Sequence, residues 1–162
     1  MHDTAERIEQ GLEAVHQAAL QSAEVLFERA SALADEFWEA HHRAHKELPK
    51  EERGFSGVRA RLRSGGVQIE WFRAKYWQRR NGANGEASNK PALEYLRRGK
   101  SMRYTPAAFR RVRAKDWEIE LAMSFEDQFE VIRRQSQMLG KIRRYVIETR
   151  KAGRRPVEEL AS

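Results

Sequence analysis

The chain contains no cysteine. That excludes a disulfide framework and any thiolate metal site. No segment approaches the roughly 20 consecutive apolar residues of a membrane span, so no membrane partner is expected. The N-terminus opens with Asp3, Glu6 and Glu9, where a secretory signal would be basic and then apolar. A cytoplasmic location is therefore expected. Catalytic signatures are missing too: there is no phosphate-cradling glycine loop, dinucleotide fingerprint or nucleophile elbow. His41, His42 and His45 form the only histidine cluster. A zinc hydrolase helix reads H-E-x-x-H, but His42, Arg43 and Ala44 follow His41, and no third ligand is evident. These histidines read as a solvated helix face, as does the acidic pair Glu126-Asp127. Tyr76 and Tyr104 lack the His-apolar-His metal strand that a DNA-nicking enzyme sets beside its tyrosine. No enzyme, metal or cofactor is expected.

What is present is charge, unevenly placed. The 162 residues are 34% charged, with a formal net charge of +7, and the mean hydropathy is −0.83. Such a chain suits one domain (1–162) built from long helices that each bury one stripe. Between Arg53 and Lys115 there are 17 basic residues against 3 acidic ones, whereas residues 1–52 carry 5 basic and 12 acidic. A basic block set beside an acidic segment points to one face built to meet a polyanion.

Residues 4–46 read as one long helix. Ile8, Leu12, Val15, Ala19, Leu26, Ala30, Leu33 and Phe37 recur at heptad-like steps, and Leu48-Pro49 ends the pattern. A second long helix spans 106–151, opened by Thr105-Pro106, with a boundary open near Arg113–Lys115. Its stripe is Trp117, Leu121, Phe125, Ile132, Leu139, Ile142 and Val146. Each helix, of about 45 residues, would be about 65 Å long. The matched lengths predict an antiparallel, coiled-coil-like stalk with residues 50–104 as a head at one tip. Pairing of two such stalks into a four-helix bundle is an open variant. The fold class is α+β, mainly α, and 152–162 reads as a flexible tail.

The head reads as a small antiparallel sheet. Gly65-Gly66 is a two-residue turn signal, which would set Leu62 opposite Ile69 and Arg61 opposite Glu70. Val58, Ala60, Leu62, Val67, Ile69 and Trp71 then form the core face. Ala92–Arg97 could add a third strand, and Arg79–Lys90, rich in Gly and Asn, reads as mobile. The other face shows Arg59, Arg61 and Arg63 in phase, at a spacing of roughly 7 Å that suits successive phosphates. Phe72 and Tyr76 share that face and could stack on bases. Arg73, Lys75, Arg79 and Arg80, in and just after the same strand, join the candidate nucleic-acid contacts. A second cluster, Arg97, Arg98, Lys100 and Arg103, lies on a tight loop before a helix N-terminus, which favours phosphate.

Four segments together carry a resemblance: ALADEFW, GVRARLRSGGVQIEWFRAKYW, YLRRGKSMRYTPAAF and AKDWEIELAMSFEDQFEVIRRQSQMLGKIRRYV. Over about residues 30–150 the chain resembles the MobI proteins of conjugative elements. The resemblance implies an auxiliary factor in DNA mobilisation, acting at an origin of transfer beside a relaxase that does the cutting. It supplies no residue-level site map. The combined expectation is a non-catalytic protein that binds double-stranded DNA and helps assemble a relaxosome, with the relaxase or a second copy held by the stalk. Two alternatives stand beside it: a coiled-coil adaptor whose basic head binds an acidic protein, and an RNA-binding accessory protein.

Overall fold

A computed structural model describes residues 2–75 and 92–153. Helix α1 runs His2–Glu47. Pro49 then turns the chain through a short 3-10 segment, Lys50–Glu52, into strand β1, Ser56–Arg63. Strand β2 is Gly66–Lys75 and strand β3 is Ala92–Tyr95. The anticipated second long helix is divided at the boundary left open above. A six-residue helix α2, Pro106–Arg111, precedes α3, Asp116–Gly153. The break has local causes. Arg113 adopts a left-handed φ of 59°. Glu118, in the first turn of α3, reaches back to accept from the Lys115 N–H at 2.8 Å, the reciprocal half of a capping box.

The helices α1 and α3 pack antiparallel. Arg29 donates to Gln128 at 2.7 Å, and Arg150 pairs with Glu9 and Glu13 far along the same seam. The sheet, in order β1-β2-β3, lies against the side of this pair and not beyond its tip. The Ser56 N–H meets Glu118 near the start of α3, and the Ser64 carbonyl meets Arg143 nearer its end. One core therefore draws on β1, β2, Leu96 just after β3 and all three helices. This explains the incomplete stalk stripe. Leu33 and Ile132 are buried, whereas Leu12, Leu26, Leu121 and Leu139 are half-buried, and Ile8 and Val15 are exposed. Leu20 and Arg143 lie at the level of the hairpin turn. Past it, among the described residues, the two helices pack only on each other.

The alternation along the hairpin is as expected, but the register differs by two residues. Ser64 and Gly65 form the turn, with φ of 51° and 69°, and Gly66 becomes the first paired residue of β2. Leu62 faces Val67, Arg61 faces Gln68 and Arg59 faces Glu70. A two-residue hairpin turn of the primed type needs positive φ at both central positions, and serine adopts it here so that both glycines need not. Since the shift is even, each side chain keeps its face. Trp71 lies at the centre, fully buried, with edge-on neighbours Phe37, Phe109 and Phe129 at 4.9, 5.3 and 5.8 Å. Such pairs contribute about 0.5–1.5 kcal/mol each beyond burial.

Candidate nucleic-acid interface

The residues singled out from sequence have different fates. Arg59 lies over the Tyr95 ring, 5.2 Å from its centroid, and donates to the Tyr95 hydroxyl. Arg61 pairs with Glu70, now its diagonal neighbour. Arg63, at the end of β1, is exposed and has no polar partner among the described residues. Arg73 donates to the Val112 carbonyl, and Lys75 pairs with Glu94 at 2.9 Å. Arg103 binds Asp127 and, at 3.3 Å, Glu130, and the hydrogen bond to Asp127 leads in raising its pKa. Arg97 and Lys100 are exposed without polar partners among the described residues, and half-buried Arg98 contacts the Met102 sulfur. Tyr76, Arg79 and Arg80 lie outside the described residues, as do the whole of the segment read as mobile and most of the tail.

Phe72 corrects one expectation. It shares the arginine face but is only 9% exposed. Trp38 reaches round the β1 edge, donates from its indole to the Val58 carbonyl at 3.1 Å and covers Phe72. Gly57 permits this, since a Cβ there would stand 2.5 Å from the indole. The expected helix N-terminal phosphate seat also shrinks, because α2 is six residues long and a single turn and a half sums few peptide dipoles.

Two features were not singled out from sequence. The first is a groove of about 560 Å³ between the sheet and the α2–α3 corner, lined by Phe55, Arg73, Lys75, Glu94, Arg111 and Arg113. Arg110, Arg111 and Arg113 are exposed. The helix break that turns them outward was legible only as a possible boundary.

The second is a buried ionic hub. Glu126 is fully buried, and its carboxylate accepts from Arg133 at 2.7 Å, the Trp71 indole at 2.8 Å and the Tyr104 backbone N–H at 2.7 Å. Arg133 also donates to the Met102 carbonyl at 2.8 Å and the Ile69 carbonyl at 3.3 Å. The reading of Glu126 as solvated surface is thus overturned: three donor groups, Arg133 with two N–H bonds among them, offset the desolvation that a lone carboxylate would suffer. The hub ties β2 to α3 and fixes the end of the basic turn that carries Arg97, Arg98 and Lys100. A sequence signal existed, since Glu126 and Arg133 fall in phase with Ile119, Ala122 and Phe129.

His41 is likewise buried, not solvated. It sits 3.4 Å from Glu118, while His45 contacts the Gly54 carbonyl and only His42 is exposed. Burial raises the pKa of Glu118, but hydrogen bonds with His41, Lys115 and Ser56 outweigh it and hold the carboxyl below the usual range. Among the described residues no acidic or histidine cluster has metal-binding geometry, and no helix is long and apolar enough to cross a membrane.

The assembly is thus a helix pair with a three-stranded sheet on one side. Five exposed cations, Arg97, Lys100, Arg110, Arg111 and Arg113, lie along the edge from β3 to the α2–α3 corner. The family model described as MobI protein matches residues 26–147, and the chain belongs to that family. The match takes in the sheet, α2 and the facing parts of α1 and α3, and it identifies a mobilisation-related protein. No curated protein and no solved structure matches the chain.

Proposed function

We propose that this protein binds double-stranded DNA at an origin of transfer, without catalysis of its own, and helps a relaxase assemble there. The observation that carries the reading is a run of five exposed cations along one edge, each without a polar side-chain partner among the described residues: Arg97 and Lys100 on the turn after β3, and Arg110, Arg111 and Arg113 at the α2–α3 corner. Within residues 53–115, Arg59, Arg61, Lys75 and Arg103 are engaged within the fold, so of that block's described cations this edge, with Arg63, holds the larger share free for phosphate. Phosphate neutralisation releases condensed counterions and makes affinity fall steeply with salt. Membership of a mobilisation family supplies the biological setting. Titration of the purified protein against duplex DNA, single-stranded DNA and RNA across a salt series tests the reading. Duplex should bind most tightly, with a log K against log salt slope of about −3 to −5. Equal affinity for an acidic protein at the same net charge, or preference for RNA, would replace it. Supercoiled plasmid bearing a transfer origin should not be nicked with magnesium or manganese, and nicking that vanishes on Tyr104→Phe would refute the non-catalytic role.

A further inference from the structure

The sheet covers only one side of the α1–α3 pair. On the opposite side α3 presents Val131, Gln135, Met138, Ile142 and Tyr145, at alternating steps of four and three, and all are exposed. This is a coiled-coil seam that no other described residue covers. Val131, Met138 and Tyr145 are 53, 58 and 65% exposed. Beside them α1 presents Val25, 62% exposed, next to the small residues Ala18 and Ser22. Between the helices lies an open groove of about 580 Å³ lined by Ser22, Val25, Leu26, Gln135, Met138 and Leu139. A helix already packed on the sheet has no need of a second apolar stripe, and stripes of this length on a solvated face mark an interaction surface.

The flanking charges indicate what fits. Glu24 and Glu28, beside Val25 on α1, are exposed and without polar partners among the described residues. Beside the seam on α3 stand Arg134, which shares Glu130, and Lys141, which has no polar partner among the described residues. Around the level of Glu24 and Glu28 one margin of the bare face is acidic and the other carries Arg134 and Lys141, with Asp127, held by Arg103, and Glu148 at the ends of that row, so this stretch of the face is complementary to itself under a two-fold axis parallel to the helices. We infer that two copies of this chain pack bare face to bare face, α1 of each on α3 of the other, closing an antiparallel four-helix bundle with a sheet on each outer side. A two-fold perpendicular to the helices would instead stack α1 on α1 and set acid against acid. The inference is independent of DNA binding and would survive failure of that reading.

Light scattering on the full chain should give twice the 18.9 kDa chain mass. Val131→Glu with Met138→Glu should halve that mass while far-UV circular dichroism keeps its helical signal. The cysteine-free chain allows the arrangement itself to be read. A mixture of Val25→Cys and Val131→Cys proteins should form a disulfide-linked heterodimer under mild oxidation, well ahead of either protein alone. A monomeric native chain would overturn the proposal. So would a dimer whose mass ignores the double glutamate variant, or Val131→Cys cross-linking to itself as fast as to Val25→Cys.

Discussion

Arg133→Met should be among the most damaging substitutions in the chain, although arginine on a long helix would ordinarily be assigned to the surface. The side chain is 5% exposed and Glu126 is 0% exposed. Removing the guanidinium leaves the carboxylate buried with only the Trp71 and Tyr104 donors, and it orphans the Met102 carbonyl. Breaking one side of a buried pair costs about 3–5 kcal/mol, against a total stability on the order of 5–15 kcal/mol. For a domain of this size the midpoint of thermal unfolding should fall by roughly 10 °C. Adding Glu126→Gln should recover about 2 kcal/mol, because the buried charge is gone while the amide oxygen can still accept from one of the two N–H groups. Urea unfolding followed by far-UV circular dichroism reads both values. Hydrogen exchange at residues 97–104 should quicken in Arg133→Met, since that turn loses its anchor. A loss below about 1 kcal/mol, or a double variant weaker than the single one, would refute the assignment of a tightly coupled buried pair.

Other consequences can be measured in the same assays. Gly57→Ala should destabilise by about 1–3 kcal/mol by driving Trp38 off the β1 edge, and Trp38→Ala in that background should add less than it does in the native chain. Glu118 has a depressed folded-state pKa, so its contribution is present above its ordinary value of 4.5 and is lost as pH falls through the lower folded value. Stability should therefore decline on acidification below about pH 4.5, and Glu118→Gln should be less stable at neutral pH yet flatter in that window. An unchanged acid limb in Glu118→Gln would remove Glu118 as a cause.

Much of the fold was legible from spacing. Heptad steps gave α1 and the course of α3, but its length was overestimated, because the break that sets α2 apart was legible only as a possible boundary. Alternation gave both strands and the correct face for each side chain, and the third strand was anticipated. The hairpin register was not legible, because Ser-Gly and Gly-Gly both make two-residue turns and an even shift leaves the hydrophobic pattern unchanged. Placement of the sheet along the helices was hidden for a related reason: alanines such as Ala23, Ala30 and Ala122, which let elements approach closely, carry little pattern signal. The candidate interface was legible as a block of charge but not as a surface. Whether an arginine is free depends on who faces it. Tyr95 on β3 engages Arg59, and Asp127, distant in sequence, engages Arg103. Only tertiary contacts separate those from Arg97, Lys100 and Arg111. The burial of Glu126 and His41 escaped because charge was weighed above phase.

The most direct test of duplex binding along the β3 to α2–α3 edge compares two triple variants across a salt series. One carries Arg97→Ala, Lys100→Ala and Arg111→Ala. The other carries Arg7→Ala, Arg43→Ala and Lys46→Ala on exposed parts of α1 and removes the same charge. Each lost phosphate contact should flatten the salt slope by about 0.9, so the edge variant should lose two to three units of slope while the α1 variant loses less than about one. Equal losses from the two variants would show a diffuse electrostatic field, and would contradict a binding surface on this edge.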